Sequence, residues 1–383
     1  MKTICDINKC AGCGACVDVC PTNAISILDD LKTMNAVIDE NKCIGCNSCK
    51  NVCQVICTRK KKKSILIKQG WALESDLRKK AASGGIASAL AKTFIKDGGV
   101  VCACIYKEGC FIFDIIADET NLDVIAGSRY VKSNAETSYK KCKKLVLEGK
   151  KVLFIGLPCQ VASFQNYIPV KYHDLIMTID LICHGSPSLK LLEIFFEQYG
   201  LKLKDLYDIQ FRAKGKNQDY QSILKNNVMD CYMIGFLNGI FYTENCYECK
   251  YADINRVSDI TLGDSWGSEL CKDERDKGIS LILCQSEKGI SLLNNAEVVL
   301  KEVDIEVAIA HNHQLREPSP VPIKRDWFFK NLTKGKKFNS LIFQIYPIKY
   351  IKQIIKCILI NIKLFSLGDD TRFCVLQKRN KNE

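Results

Sequence analysis

The chain has 383 residues, enough for two or three domains with a sizeable core, and its 55 Lys and Arg against 43 Asp and Glu give a formal charge of +12. Its 23 cysteines crowd at metal-ligand spacings, which excludes a disulfide-stapled scaffold, and Met1 to Ile7 holds no apolar signal core, so the expected compartment is reducing and cytoplasmic. The basic excess does not imply nucleic-acid binding, because no nucleic-acid module pattern accompanies it.

Cys10, Cys13, Cys16 and Cys20, followed by Pro21, read C-x2-C-x2-C-x3-C-P, and Cys43, Cys46, Cys49 and Cys53 repeat that spacing 33 residues later. Three closely spaced cysteines wrap one face of an iron-sulfur cube, and the fourth of each run ligates the other cube. The spacing therefore assigns one 4Fe-4S cluster to Cys10, Cys13, Cys16 and Cys53, and a second to Cys43, Cys46, Cys49 and Cys20. Structural zinc sites, built from two C-x2-C pairs across a longer loop, fit this pattern poorly. Gln54 stands where the first run has Pro21, which leaves the second turn less rigidly fixed. Each oxidised four-thiolate cluster carries about −2, so part of the positive charge balances cofactors.

Between the runs, Ala24 to Leu28 and Asn35 to Ile38 alternate apolar and polar residues around Asp29-Asp30, the pattern of a hairpin. A bicluster ferredoxin-like domain is expected over 1–57. The basic run from Arg59 to Lys63 reads as a solvated linker over 58–68, and a larger domain follows over 69–335.

In that domain Ser83-Gly84-Gly85 opens a helix whose apolar positions are Ile86, Leu90, Phe94 and Ile95, and Gly98-Gly99 ends it. A serine and two glycines at a helix start suit a phosphate, and an ordinary capped turn is the competing reading. Val100 to Tyr106 and Phe111 to Ala117 read as strands, with Cys102 and Cys104 as core residues. Ser138 to Glu148 is an amphipathic helix stopped by Gly149. Lys151 to Ile155 is a strand running into Gly156-Leu157-Pro158-Cys159-Gln160, and Leu175 to Ile182 is another, running into Cys183-His184-Gly185. Ligands collect beyond the carboxyl ends of such strands, so these two ends are candidates for one site. Cys246 and Cys249 supply a further C-x2-C pair, and Ser258 to Gly267 is a strand leading into an acidic, glycine-punctuated loop. Cys159, Cys183, Cys246 and Cys249 would complete a four-thiolate set. A third cluster, a zinc site, a nucleophilic Cys159 at a helix start and unrelated buried thiols all fit the spacing.

Several stretches resemble the beta subunit of the coenzyme F₄₂₀ hydrogenases and dehydrogenases, in its form with an N-terminal bicluster ferredoxin domain. They are Ala82 to Ile86, Gly127 to Val131, Leu153 to Gln160, Asp180 to Gly185, Cys246 to Cys249 and Ser258 to Gly267, in family order. The resemblance implies an α+β fold: a small bicluster ferredoxin-like domain, then a larger α/β-layered domain holding FAD and a third 4Fe-4S cluster. It makes Cys159, Cys183, Cys246 and Cys249 the third cluster's ligands. It places FAD at Ser83, Gly84 and Gly85, with Gly127, Ser128, Arg129 and Tyr130 nearby, Arg129 to pair with a diphosphate and Tyr130 to stack on a ring.

The function so implied is an iron-sulfur flavoprotein oxidoreductase passing electrons between clusters, FAD and an organic substrate, fed by ferredoxin or another redox partner; some relatives are linked to polysaccharide synthesis. The alternatives are a coenzyme F₄₂₀-dependent dehydrogenase or reductase subunit and a non-catalytic electron-transfer subunit. His184 is the candidate proton donor, although a lone histidine at a strand end is more often structural. His311 and His313 receive no role. In the basic tail over 336–383, Lys349, Lys352, Lys356 and Lys363 form one stripe and Ile351, Ile354, Ile355, Ile358 and Ile362 the other face. Covering its own domain, binding a partner, and lying on the inner face of a membrane are the three readings for this tail.

Overall fold

A computed structural model describes residues 2–212, 231–361 and 374–377. At the N-terminus, β1 (Lys2–Thr3), α1 (Ala15–Val19), β2 (Ile25–Asp29), β3 (Met34–Ile38) and α2 (Ser48–Val52) form one unit. Its sheet is antiparallel in the order β1-β3-β2, and β2 and β3 are the expected hairpin. The Asp30 side chain closes the turn by accepting from the Thr33 amide at 2.6 Å and its hydroxyl at 2.9 Å.

This unit does not stand apart from the rest. Ala15, Cys16 and Val52 pack into the same core cluster as Val152, Phe154 and Phe164 of the larger body. Asp18 accepts from the Thr137 amide at 2.5 Å, and Ser188 donates to Asp29 at 2.5 Å. The basic run expected to be a solvated linker is likewise docked. Arg59 donates to Asn166 at 2.5 Å, Lys61 meets Asp253 at 2.5 Å, and Lys62 bridges to Arg256. Its charges find acceptors on the body, which is why it does not float.

The body contains β4 (Leu66–Ala72), α3 (Ser75–Lys80), α4 (Ile86–Lys96), β5 (Val100–Lys107), β6 (Cys110–Ile116), α5 (Ser138–Leu147), β7 (Val152–Gly156), α6 (Pro158–Tyr167), β8 (Ile176–Leu181), α7 (Leu189–Glu197), β9 (Leu206–Gln210) and α8 (Cys231–Leu237). Then follow β10 (Ile260–Asp264), α9 (Lys272–Lys277), β11 (Ser280–Cys284), α10 (Glu287–Asn295), β12 (Val298–Lys301), α11 (Ile305–His311), α12 (Arg325–Leu332), α13 (Phe338–Ile345), α14 (Pro347–Asn361) and β13 (Cys374–Gln377). Eight strands make one mixed sheet in the order β12-β4-β11-β10-β8-β7-β5-β6, and β9 pairs with β13. β5, β7, β8 and β10 run parallel, and the outer pairs are antiparallel.

β7 shows why the sheet is covered on both faces. All five of its residues are buried; Val152 and Phe154 face α5 and α6, while Leu153 and Ile155 face α4 and α10. The fold is thus a mixed α/β layer with a small ferredoxin-like region at its N-terminus. Beside it lies an aromatic core that includes Phe195, Tyr232, Phe241, Phe328 and Phe338. Because Phe338, Leu341 and Ile342 of α13 are buried there, the packed body extends past the expected boundary at 335.

One ion pair crosses the centre of the molecule. Arg256 and Asp180 are both buried and meet at 3.1 Å, and the same guanidinium donates to the carbonyls of Tyr251 at 2.6 Å and Leu181 at 2.9 Å. Burial raises the Asp180 pKa, and Arg256 opposes the rise. Arg256→Leu strands that carboxylate, so anaerobic urea unfolding should show a loss of about 3–5 kcal/mol.

Candidate functional site

The two cysteine runs fold alike. Gly14 and Asn47 adopt positive φ just before α1 and α2, and each helix ends on the fourth cysteine of its run, with the Cys20 amide donating to Val17 and the Cys53 amide to Lys50. Cys10, Cys13, Cys16 and Cys53, which come from both runs, line one small cavity, together with Cys5, which the spacing argument left out. Cys5 is within hydrogen-bonding reach of Cys10 and Cys53, and it is the largest cause holding their thiols down, to about 6 and about 7. Cys20, Cys46 and Cys49 feel one another's charge, and Cys43 and Cys46 are exposed.

Gln54, the departure from the first run, turns out to be buried. Its Oε1 accepts from the Tyr251 hydroxyl at 2.8 Å, and its carbonyl accepts from Lys250. Polar contact replaces the rigidity of a proline and ties the second run to the segment after Cys249.

The other four cysteines arrive from three parts of the body. Pro158 and Cys159 begin α6 directly after β7, and the Gln160 side chain accepts from the Leu157 amide at 3.0 Å, closing that turn. Cys183 follows β8, whose end is held to β10 by Ile182 donating to Leu262 at 2.8 Å. Cys246 sits in a short turn with the Thr243 hydroxyl 3.4 Å from its sulfur, and Cys249 comes one turn later. All four line a single cavity of about 310 Å³, closed on the opposite side by Ala11 and Gln54 of the N-terminal unit. Burial pushes the Cys183 thiol up to about 12 and Cys159 well above its ordinary value.

Lys132 was not singled out by the sequence, and it is the deeply buried charge among those lining this cavity. Its side chain is 5% exposed, and its ammonium donates to the Ala11 carbonyl at 3.0 Å. Burial pulls its pKa down, but attraction to the sulfurs of Cys246, Cys159, Cys183 and Cys10 in their charged form outweighs it, so it stands above the usual lysine value. A lysine is this deeply buried only beside compensating negative charge. Among the described residues, no three His, Cys, Asp or Glu side chains converge closely enough to hold one metal ion. Four thiols and a buried cation around one cavity fit an anionic metal-sulfur group.

A second cluster of groups lies at the same edge of the sheet, beyond β10. Asp264 pairs with Arg212 at 2.6 Å, and Arg212 stacks over the half-exposed Trp266 at 5.2 Å. His184 has its pKa lowered by burial, with Asp264 opposing. Arg129 meets Asp208 at 3.8 Å, and its buried Nε has no hydrogen-bond partner among the described residues. Tyr130, expected to stack on a bound ring, already stacks on Phe236 at 4.4 Å.

Gly84 and Ser83 differ from expectation in the same way. The Gly84 amide donates to the Ser280 hydroxyl at 2.9 Å, and the Ser83 hydroxyl donates to the Ile279 carbonyl at 2.9 Å. A Cβ at Gly84 would meet the Gly70 carbonyl oxygen at 2.4 Å. Glycine is thus required there by strand packing, before any phosphate is considered. Gly85, with φ +82, starts α4, and Gly127 (φ +88) and Ser128 precede Arg129. Register puts Ser280 opposite Asp264, and the Gly84 amide bonds to Ser280, so the Ser83 to Gly85 turn lies on the β11 side of Asp264.

Comparisons with known proteins agree with this organisation. Residues 67–138 match the coenzyme F₄₂₀ hydrogenase/dehydrogenase beta subunit N-terminal domain, residues 149–307 its C-terminal domain, and residues 9–57 a 4Fe-4S dicluster domain. The chain belongs to the coenzyme F₄₂₀ hydrogenase/dehydrogenase beta-subunit family and carries a 4Fe-4S dicluster domain at its N-terminus. It is 26% identical over 310 residues to the coenzyme F₄₂₀-dependent sulfite reductase of Methanocaldococcus jannaschii, covering 78% of this chain and 47% of that protein. The chain therefore spans about half the length of the curated relative it matches. A solved chain of the F₄₂₀-reducing [NiFe] hydrogenase complex from Methanosarcina barkeri aligns at TM-score 0.42 and 17% identity, over 66% of this chain and 91% of that one.

Lys132 supplies a test of the cavity. Replacing it by Met removes the charge at nearly constant shape, so an anaerobic EPR-monitored titration of the iron-loaded protein should show a more negative midpoint, with Lys132→Arg closer to the parent. An unchanged midpoint in Lys132→Met would mean that the ammonium does not face the bound group.

Proposed function

We propose that the chain passes electrons between a deazaflavin coenzyme of the F₄₂₀ class and one-electron carriers, through iron-sulfur groups held by its three sets of four cysteines. The observation that carries this is the cavity where Cys159, Cys183, Cys246 and Cys249 surround Lys132 and open toward the Cys10 loop. Thiols at the N-terminal unit and thiols in the body then form one continuous line. A hydride carries two electrons, clusters carry one at a time, and a flavin supplies the conversion between them when bound.

The residues beyond β8 and β10 suit the coenzyme end of that line. Arg129 has an unsatisfied Nε for an anionic group, Trp266 presents an exposed aromatic face, and His184 is a neutral imidazole able to hold or release a proton at its ring nitrogen. Cys183 and His184 are neighbours in sequence, so the cluster cavity and this second site share one loop. FAD at the Ser83 to Gly85 turn stays a proposal, with Arg129 rather than the Gly84 amide as its phosphate partner. The name of the curated relative supports the deazaflavin over other organic substrates. Ferredoxin is the one-electron partner proposed for the N-terminal unit.

Anaerobic reconstitution should give about 12 iron atoms per chain, and Cys249→Ser about 8. Adding reduced F₄₂₀ to flavin-supplemented protein should then bleach the cluster absorption. Reconstituted protein whose clusters ignore reduced F₄₂₀, with or without FAD, would sink the coenzyme assignment. Bound zinc with about 8 irons would reassign the third set of cysteines.

The tail completes the proposal. No helix among the described residues is long and apolar enough to cross a membrane. Yet Ile348, Ile351, Ile354 and Ile355 of α14 are exposed, so the helix does not bury these on its own domain. Lys330, Lys334, Lys336, Lys337, Lys349, Lys352, Lys356 and Lys363 accompany them, with no acidic residue between Asp326 and Asp369. Ile362 and Lys363 lie outside the described residues, as do the side chains of Lys356 and Ile358. We read this face as one for an anionic lipid surface. The full chain should sediment with anionic vesicles at low salt and release as salt rises, and a truncation after Tyr346, which spares the buried α13, should not bind. Equal sedimentation of the truncated chain would exclude the tail.

A further inference from the structure

Cys5 has no place in the spacing that assigns ligands to the first cluster, and the fold nevertheless puts it there. The Ile4 amide donates to the Ala36 carbonyl at 3.2 Å and the Thr3 hydroxyl to the Cys5 carbonyl at 2.8 Å, which fixes the backbone at the end of β1. The Cys5 side chain is half-buried and lines the same cavity as Cys10, Cys13, Cys16 and Cys53. Its sulfur is within hydrogen-bonding reach of both Cys10 and Cys53, one from each run. Five thiols therefore surround a site whose proposed occupant takes four.

We propose that Cys5 is a reserve ligand of the first cluster site, able to replace Cys10. This rests on the reading of Cys10, Cys13, Cys16 and Cys53 as cluster ligands. With those four in place, Cys5 stays a thiol beside the ligand sulfurs, in the cavity they line. When Cys10 is lost, rotation about the Cys5 Cα–Cβ bond moves its sulfur by roughly 3 Å between staggered positions, into the place left open. The Cys5 S–H bond breaks, the proton leaves to water, and an iron-sulfur bond to Cys5 forms. No electron is transferred in the exchange. A site with half-buried thiols gains from such a spare, because loss of one thiol to oxidation then leaves four for the iron.

The test is iron content and EPR after anaerobic reconstitution of the full chain. Cys10→Ala should keep its iron within about one atom of the parent protein and show only four-iron signals, whereas Cys5→Ala/Cys10→Ala should hold about four irons fewer. Cys5→Ala alone should keep the parent's iron, since its four ordinary ligands remain. A Cys10→Ala protein that loses about four irons, or that shows a three-iron signal when oxidised, overturns the proposal. Should the double variant fail to fold, the Cys10→Ala spectrum decides by itself. Parent protein that takes up no iron at the N-terminal cysteines overturns the cluster reading, and this proposal with it.

Discussion

Four thiols delivered by separate segments can share a site only if those segments are fixed to one another, and the buried Asp180–Arg256 pair does this. Asp180 lies three residues before Cys183, and Arg256 donates to the Tyr251 carbonyl, two residues after Cys249. One guanidinium thus holds two cysteine-bearing loops in register. Such a pair adds little net stability, because desolvating both charges costs about what their attraction returns. Its contribution is to position: the backbone carbonyls of Tyr251 and Leu181 complete the donor fan, so neither loop can shift without stranding a charge.

Charge follows the same arrangement outward. Lys132 faces the body's thiols and reaches the Ala11 carbonyl beside Cys10, so one ammonium stands between two thiol sets. In a low-dielectric interior its field falls on both, and a change of charge in either set is felt by the other. Gln54 repeats this coupling in uncharged form, through Tyr251. The N-terminal unit is consequently part of the site's wall, and its sharing of a core with Phe154 and Phe164 is the packing counterpart of that role.

How much of this was legible differs from element to element. The strands β7 and β8 stood out because each is a short, largely apolar run, β7 ending in glycine and β8 running into Cys183. The paired cysteine runs stood out because their spacing is periodic. Lys132 and Cys5 did not, since a lysine after an apolar stretch and a cysteine near a terminus carry no local signal; only the tertiary approach of Ala11 and Cys53 gives them neighbours. The Ser83 to Gly85 turn was read for phosphate binding, and the competing demand, the Gly70 carbonyl pressing on Gly84, comes from a strand residue fourteen positions earlier that no periodicity reveals. The basic run at 59–63 looked like a tether because charge density marks exposure on average, whereas here Asn166 and Asp253 were waiting for it.

The cysteines grade from open to enclosed. Cys43 and Cys46 face solvent, Cys10 and Cys13 are half-buried, and Cys246 is buried beneath them. Thiol chemistry follows access to thiolate, so an oxidant arriving from solution meets the outer sulfurs long before the inner ones. The molecule would accordingly age from its rim inward. A sample handled in air would surrender its outermost thiols as sulfenic and sulfinic acids while the buried sulfurs of Cys16 and Cys246 stay intact longest.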